Sequence, residues 1–294
     1  MSRLLLVDDD DFIRSVMESG LVQLGHEVDM ANDGREAWAI LQRAPDRYDL
    51  VLLDKNMPNM DGIALLKQLK NETALAGLPV VILTGDSRPE EVAEGLAAGA
   101  YYYLIKPALP QILDVVIHNA LEDRRRHDEL CETLARQETG YGLIRRGEFV
   151  YRTLAEAKAL ALVLASASQN ASRTVTGYSE LLINAVEHGN LEIDYAEKSQ
   201  LLAAGCWLEE VENRLSLPEY RDRQIEVTLE NSSDALIVTI TDQGKGFDWQ
   251  RYLEFEPERA FDLHGRGIAM SKNFSFDRLE YWGKGNSVSA TVLR

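Results

Sequence analysis

The stretch that most constrains this chain is Leu50–Leu53, followed at once by Asp54. Four consecutive apolar residues read as a strand buried on both faces, the kind a parallel sheet uses. The run stops at a carboxylate, and Pro58 with Asn59-Met60-Asp61-Gly62 then forces a loop. Open α/β sheets place their chemistry at the carboxyl ends of such strands; taken alone, Asp54 reads equally well as a turn residue capping the next helix. The pattern recurs. Leu4–Val7 runs into Asp8-Asp9-Asp10-Asp11, Val80–Leu83 meets Thr84, Tyr102–Ile105 meets Lys106, and Glu27–Met30 is a short strand. Helical periodicity fills the intervals: Phe12 to Leu24, onward from Asp33-Gly34, Ile63–Leu69, Glu90–Ala98 and Gln111–Leu121. Five alternations predict a doubly wound, five-stranded parallel sheet with helices on both faces.

In such a sheet the ends of Leu4–Val7 and Leu50–Leu53 are neighbours, so Asp8, Asp9 and Asp54 crowd together. Crowded carboxylates raise one another's pKa unless a cation neutralises them. A hard cation with oxygen ligands, Mg²⁺ above all, is the natural resolution. Asp10 and Asp11 read as a helix start favoured by the dipole. Thr84 and Lys106 bring a hydroxyl and an ammonium to the same place, which suits an anionic group, and Lys106-Pro107 offers a cis peptide.

Asp8-Asp9, Asp54, Thr84, Tyr103 and Lys106-Pro107, with Met57-Pro58 and Asp61-Gly62, resemble a response-regulator receiver domain, here residues 1–121. The resemblance implies that Asp54 accepts a phosphoryl group from an upstream histidine kinase or phosphotransfer protein. It also implies that Asp9, Asp54 and the main-chain carbonyl of Asn56 bind Mg²⁺, with Asp8 acting through water. Lys106 and Thr84 would hold the phosphoryl oxygens, and Tyr103 would swing inward as Thr84 moves. A phosphoryl group adds nearly two charges and three acceptor oxygens, enough to bias a bistable loop.

At 294 residues the chain has room for two cores. A net charge of −17 argues against a nucleic-acid partner. No apolar run is long enough for a bilayer, and the opening residues do not read as a signal peptide. Cys131 and Cys206 lie far apart, without disulfide or zinc spacing; a cytoplasmic, reducing location is expected.

Gln111 to Gln137 reads as one long helix, with residues 122–139 as a helical linker. It is also a candidate for pairing two copies, on a thin apolar stripe. Arg124-Arg125-Arg126-His127 reads as a solvated face. His127 and His118 are read the same way, because no second long helix follows to build an acceptor-histidine hairpin.

The second domain, residues 140–294, begins with a strand at Glu148–Tyr151 and an Ala-Leu-rich helix at Leu154–Ala167. The next helix carries Glu180, Asn184 and His188 at i, i+4 and i+8, which predicts one shared face. A single helix from Tyr195 to Leu215 and a hairpin of Ile225–Leu229 with Leu236–Ile240 follow. Asp242-Gln243-Gly244-Lys245-Gly246 then ends a strand, and His264-Gly265-Arg266-Gly267 opens a helix whose amides suit phosphate. Strands at Leu279–Tyr281 and Val288–Leu293 complete an α/β two-layer sandwich with a mixed, mostly antiparallel sheet.

Each motif also has a plain loop or polar-face reading. In order and spacing, however, the three resemble the GHKL-type ATP-binding fold shared by histidine kinases, gyrase, a heat-shock chaperone and anti-sigma-factor kinases. Glu180, Asn184 and His188-Gly189 match its N-box. Asp242, Gly244 and Gly246 match its first glycine box, and Gly265, Arg266 and Gly267 its second. The resemblance implies that ATP binds, that Asn184 ligates Mg²⁺ on its phosphates, and that Asp242 accepts from the adenine amino group. The short domain looks most like the anti-sigma-factor serine/threonine kinases, in which Glu180 would be the base acting on a hydroxyl of an antagonist protein. Gly285-Asn286-Ser287 departs from the last box. The leading expectation is a regulator whose output is such a kinase. One alternative is a non-catalytic, ATP-dependent module that sequesters a sigma factor or antagonist. A third is a hybrid histidine kinase using His127 or His118.

Overall fold

A computed structural model describes residues 2–72, 74–85, 88–108, 110–135, 140–253 and 267–294. They form two compact units, the first ending at Arg126 and the second beginning at His127.

In the first unit, strands β1 (Arg3–Val7), β2 (Glu27–Ala31), β3 (Leu50–Asp54), β4 (Val80–Thr84) and β5 (Tyr102–Ile105) form one sheet in the order β2-β1-β3-β4-β5. Every pairing is parallel. The side-chain period of two sorts each strand between two cores. Leu5, Val7, Val51, Leu53 and Ile82 pack under α2 (Gly34–Arg43), α3 (Gly62–Asn71) and α4 (Pro89–Ala97). Leu4, Leu6, Leu50, Leu52 and Leu83 pack under α1 (Asp11–Gln23) and the first half of α5 (Pro110–Ala135). The continuous apolar runs are therefore the consequence of two buried faces. Asp10 caps α1 through the amides of Phe12 and Ile13, and Asp61 caps α3 through that of Ala64.

The second unit is a sheet of β6 (Arg146–Tyr151), β7 (Ile225–Asn231), β8 (Ala235–Thr241), β9 (Arg278–Trp282) and β10 (Ser287–Leu293), in the order β6-β7-β8-β10-β9. The sequence predicts a mixed sheet; all four pairings among the described residues are antiparallel. One face is dry, with Ile225, Val227 and Leu229 buried and Glu226, Thr228 and Glu230 exposed on the other, as an antiparallel sheet allows. Against the dry face lie α6 (Leu154–Ala167), opened by a Thr153–Glu156 capping box, and α7 (Ala171–Asn184).

Two expectations change here. The helix from Tyr195 to Leu215 is two, α8 (Tyr195–Ala204) and α9 (Trp207–Ser216), because Gly205 takes a left-handed conformation at φ 70° and ends the first. The helix of Glu180 and Asn184 also changes pitch, running as a π-helix from Ala185 to Asn190. A second π-helix, Ser271–Ser275, follows α10 (Gly267–Met270).

Candidate functional site

In the first unit the site is assembled by strand ends. Val7 is paired with Leu53 across β1 and β3, so Asp8 and Asp54 leave neighbouring strands at the same edge. Both are buried, at 1% and 6% exposure. The Lys106 ammonium, from the end of β5, bonds Asp8 at 2.5 Å and also bonds Asp54. Burial raises the Asp54 carboxyl above the ordinary carboxylate range; its bonds to Lys106 oppose that rise and the nearby Asp8 adds to it. Burial pulls Lys106 down, yet its two carboxylate partners win and hold it above the usual lysine value. Asp54 also accepts from the amide of Asn56 at 2.8 Å. The Lys106–Pro107 peptide is cis, as the sequence suggests.

Thr84 is buried at the end of β4, whose Leu83 pairs with Asp54. Tyr103 is already turned inward, its ring tight against Gly95 of α4 and its hydroxyl without a hydrogen-bond partner among the described residues. Burial pushes that phenol up to about 12. Asp9 and Asn56 are exposed. Among the described residues no three acid, imidazole or thiol side chains form a metal-holding group. Of the three expected carboxylates, Asp8 and Asp54 are buried and share the Lys106 ammonium, and Asp9 is exposed.

Two contacts here go beyond what the motif residues announce. A Cβ on Gly62 would strike the carbonyl oxygen of Asp54, so this glycine lets the loop fold back onto the strand end. Lys55, next to Asp54, is ion-paired with Glu91 of α4. No spacing rule announces that contact.

In the second unit α7 supplies the first half of a site. The Asn184 amide nitrogen donates to Glu180 at 3.1 Å, and a Cβ on Gly267 would collide with the Glu180 carboxylate. His188 does not join them. Beyond Asn184 the wider π-turn changes the angle per residue, and His188 instead donates from Nδ1 to the carbonyl of Ile193 at 2.5 Å.

The second half is the turn after β8. Asp242 accepts from the amide of Gly244 at 2.8 Å, and burial pushes its carboxyl up to about 6. A Cβ on Gly189 would meet the Asp242 carboxylate, and one on Gly244 would meet the backbone of Gly189. Gly246 has φ 77° and lies against the carbonyl of Lys284. Asn286, at the departure from the last box, pins the backbone of Asp242: its carbonyl accepts from the Asp242 amide at 3.0 Å and its side chain donates to the Asp242 carbonyl at 2.9 Å. Lys245 is tied to Glu192 at 2.5 Å. Gly265 and Arg266 lie outside the described residues.

Tyr281 and Tyr151 are further members that the sequence did not single out. Burial raises the Tyr281 phenol, and the carboxylates of Glu180 and Asp242 add to the rise, so this ring lies within the field of both half-sites. It stacks on Trp249 at 5.9 Å. Tyr151, at the end of β6, donates its hydroxyl to the carbonyl of Leu182 at 2.7 Å, just where α7 approaches its change of pitch.

Comparison with known proteins follows this division. Residues 4–118 match the response regulator receiver domain and residues 149–292 the histidine kinase-like ATPase domain. The chain belongs to the response-regulator receiver family and carries a histidine kinase-like ATPase domain behind the receiver. It is a two-component response regulator. The chain is 34% identical over 120 residues to a chemotaxis protein CheY homolog of Campylobacter jejuni, covering 40% of this chain and 92% of that one. It is 43% identical over 107 residues to a gliding motility regulatory protein of Myxococcus xanthus, covering 36% of this chain but only 14% of that protein. Among solved structures, the Vibrio cholerae chemotaxis protein CheY4 is 37% identical at a TM-score of 0.39, covering 41% of this chain and 98% of that one. Among the described residues no helix is long and apolar enough to cross a membrane.

Proposed function

We propose that phosphorylation of Asp54 by an upstream histidine kinase or phosphotransfer protein governs an ATP-dependent serine/threonine protein kinase formed by residues 140–294. The observation that carries the kinase reading is the bond between Asn184 and Glu180. It spends the Asn184 amide nitrogen and leaves the amide oxygen as a hard donor, which suits Mg²⁺. It also sets a carboxylate beside that oxygen. In the transfer, a Ser or Thr hydroxyl of an antagonist protein attacks the γ-phosphorus, ADP leaves, and Glu180 takes the hydroxyl proton. The half-buried Asp242 carboxylate would accept from the adenine amino group, and the glycines let backbone approach the nucleotide.

In the receiver, two buried carboxylates share one ammonium and keep a net negative charge, a donor set that fits a divalent cation. When bound, Mg²⁺ supplies charge neutralisation at the phosphoryl group. Lys106 and Thr84 would hold the oxygens, and Asp9 and the Asn56 carbonyl would complete the ligands.

Sequestration without catalysis is the second reading, because a Glu180 held by Asn184 also serves as a structural strut. A hybrid histidine kinase is disfavoured, since both ring nitrogens of His127 are engaged by Thr176 and Cys131. The deciding experiment is Mg²⁺-ATP binding by calorimetry, then label transfer to a candidate antagonist. Micromolar binding with transfer abolished by Glu180→Gln supports the kinase. Binding and complex formation with no transfer supports sequestration. No binding overturns both.

A further inference from the structure

The second unit holds a side-chain cluster that neither the kinase nor the sequestration reading uses. His127 and Cys131 stand one turn apart on α5, and the Cys131 sulfur is 3.4 Å from His127 Nε2. His127 Nδ1 is 2.7 Å from the hydroxyl of Thr176 on α7. If Nε2 receives the thiol proton, Nδ1 carries its own and points it at Thr176. Nucleophile, base and an orienting third group are thereby in sequence and within reach. The other thiol is a natural contrast. Cys206 is half-buried, as Cys131 is, but among the described residues its sulfur bonds the backbone carbonyl of Leu201, at 3.8 Å, and no imidazole.

We propose that Cys131 is a base-assisted reactive thiol, a modification site for low-molecular-weight disulfides. Burial raises the thiol above its ordinary value, a hydrogen bond from Ser172 opposes that rise and the nearby Asp128 carboxylate adds to it, so the thiol rests protonated and depends on the imidazole. His127 takes the proton as the Cys131 sulfur attacks one sulfur of the disulfide. A new S–S bond forms, the reagent's own S–S bond breaks, and the leaving thiolate recovers the proton from the imidazolium. Cys131 sulfur is oxidised and the departing sulfur is reduced.

The position gives the modification a target. Thr176, Glu180 and Asn184 follow one another at i+4 on α7, so they share a stripe. A bulky group on Cys131 displaces His127 from the first member of that stripe and loosens α7 at its N-terminal half. The proposal stands whether or not ATP binds.

The test is the rate of reaction with a chromogenic aromatic disulfide, followed by oxidised glutathione, on the full chain. Cys206→Ser leaves Cys131 alone, and Cys131→Ser leaves Cys206 alone. Near neutral pH, Cys131 is expected to react roughly tenfold faster than Cys206, with a rate that rises through the imidazole range rather than the thiol range. His127→Gln in the Cys206→Ser background should remove that advantage, and Thr176→Val, which spares both reacting groups, should reduce it. Hydrogen exchange in α7 should quicken after glutathione addition. Equal rates for the two cysteines overturn the proposal, as does a Cys131 rate indifferent to His127→Gln. If His127→Gln does not fold, the pH profile and Thr176→Val decide alone.

Discussion

The two candidate sites are built in different ways. In the receiver, four functional side chains hang from the ends of parallel strands. Strand pairing fixes the edge from which Asp8, Asp54 and Thr84 emerge, and Lys106 follows β5 at that same edge. In the ATPase unit the groups come from a helix flank and a glycine turn, and a change of helix pitch decides which of them meet. A site on strand ends inherits its geometry from the sheet. A site on a helix flank depends on every hydrogen bond along the helix.

The largest effects should separate the two regions cleanly. Asp54→Asn is expected to abolish phosphoryl uptake from acetyl phosphate, read on a phosphate-affinity gel, while Mg²⁺-ATP affinity holds. Asn184→Ala should do the reverse, lowering Mg²⁺-ATP affinity by about 100-fold, or about 2.7 kcal/mol. Calorimetry on both variants checks the pair. If either substitution damages both readouts, the two sites are not independent and the comparison fails.

A pH titration sharpens it next. Asp242 titrates at about 6 because burial disfavours its charge. An acceptor for an amino group must be ionised, so nucleotide affinity should fall about tenfold per pH unit below that point. The sign for stability is opposite. A carboxyl raised above its unfolded value takes up its proton more readily in the fold, so acidification from 6 towards the unfolded pKa adds stability through this group. Binding lost over that window therefore reports the carboxylate, not unfolding. Affinity that stays flat down to pH 5 would remove Asp242 from the adenine site.

These contrasts explain what the sequence disclosed. The parallel sheet was legible because its strands are buried on both faces and end in polar residues, and the strand-end site came with it. The antiparallel sheet showed its alternation equally well in Ile225, Val227 and Leu229. His188 misled because an i+8 spacing assumes a constant pitch, and no residue type marks a π-turn. Gly205 was overlooked as a break because a lone glycine inside an apolar pattern is also tolerated in a continuous helix. The contacts of Gly62, Lys55, Tyr151 and Asn286 were invisible for another reason. Each residue acts through a contact far away in space, which a spacing rule along the chain does not contain.

The smallest predicted effect probes the same contrast with two tyrosines. Tyr103 and Tyr151 are both buried. Tyr151 donates to the carbonyl of Leu182, whereas the Tyr103 hydroxyl has no hydrogen-bond partner among the described residues. The Leu182 carbonyl also accepts from the Ala185 amide, so Tyr151→Phe removes one of its two bonds without orphaning it and should cost about 0.5–1.5 kcal/mol in urea unfolding of the second unit. Removing a hydroxyl that is itself the orphan relieves a desolvation cost, so Tyr103→Phe should be neutral or stabilise the receiver by up to about 1 kcal/mol. A receiver that tolerates Tyr103→Phe thermodynamically but then couples phosphorylation poorly would show that the unbonded hydroxyl is kept for a second state. In that state its donor would find the partner it lacks here. A substantial loss of stability on Tyr103→Phe would instead mean that the hydroxyl is already satisfied in solution, and that the inward ring is a packing element rather than part of a switch.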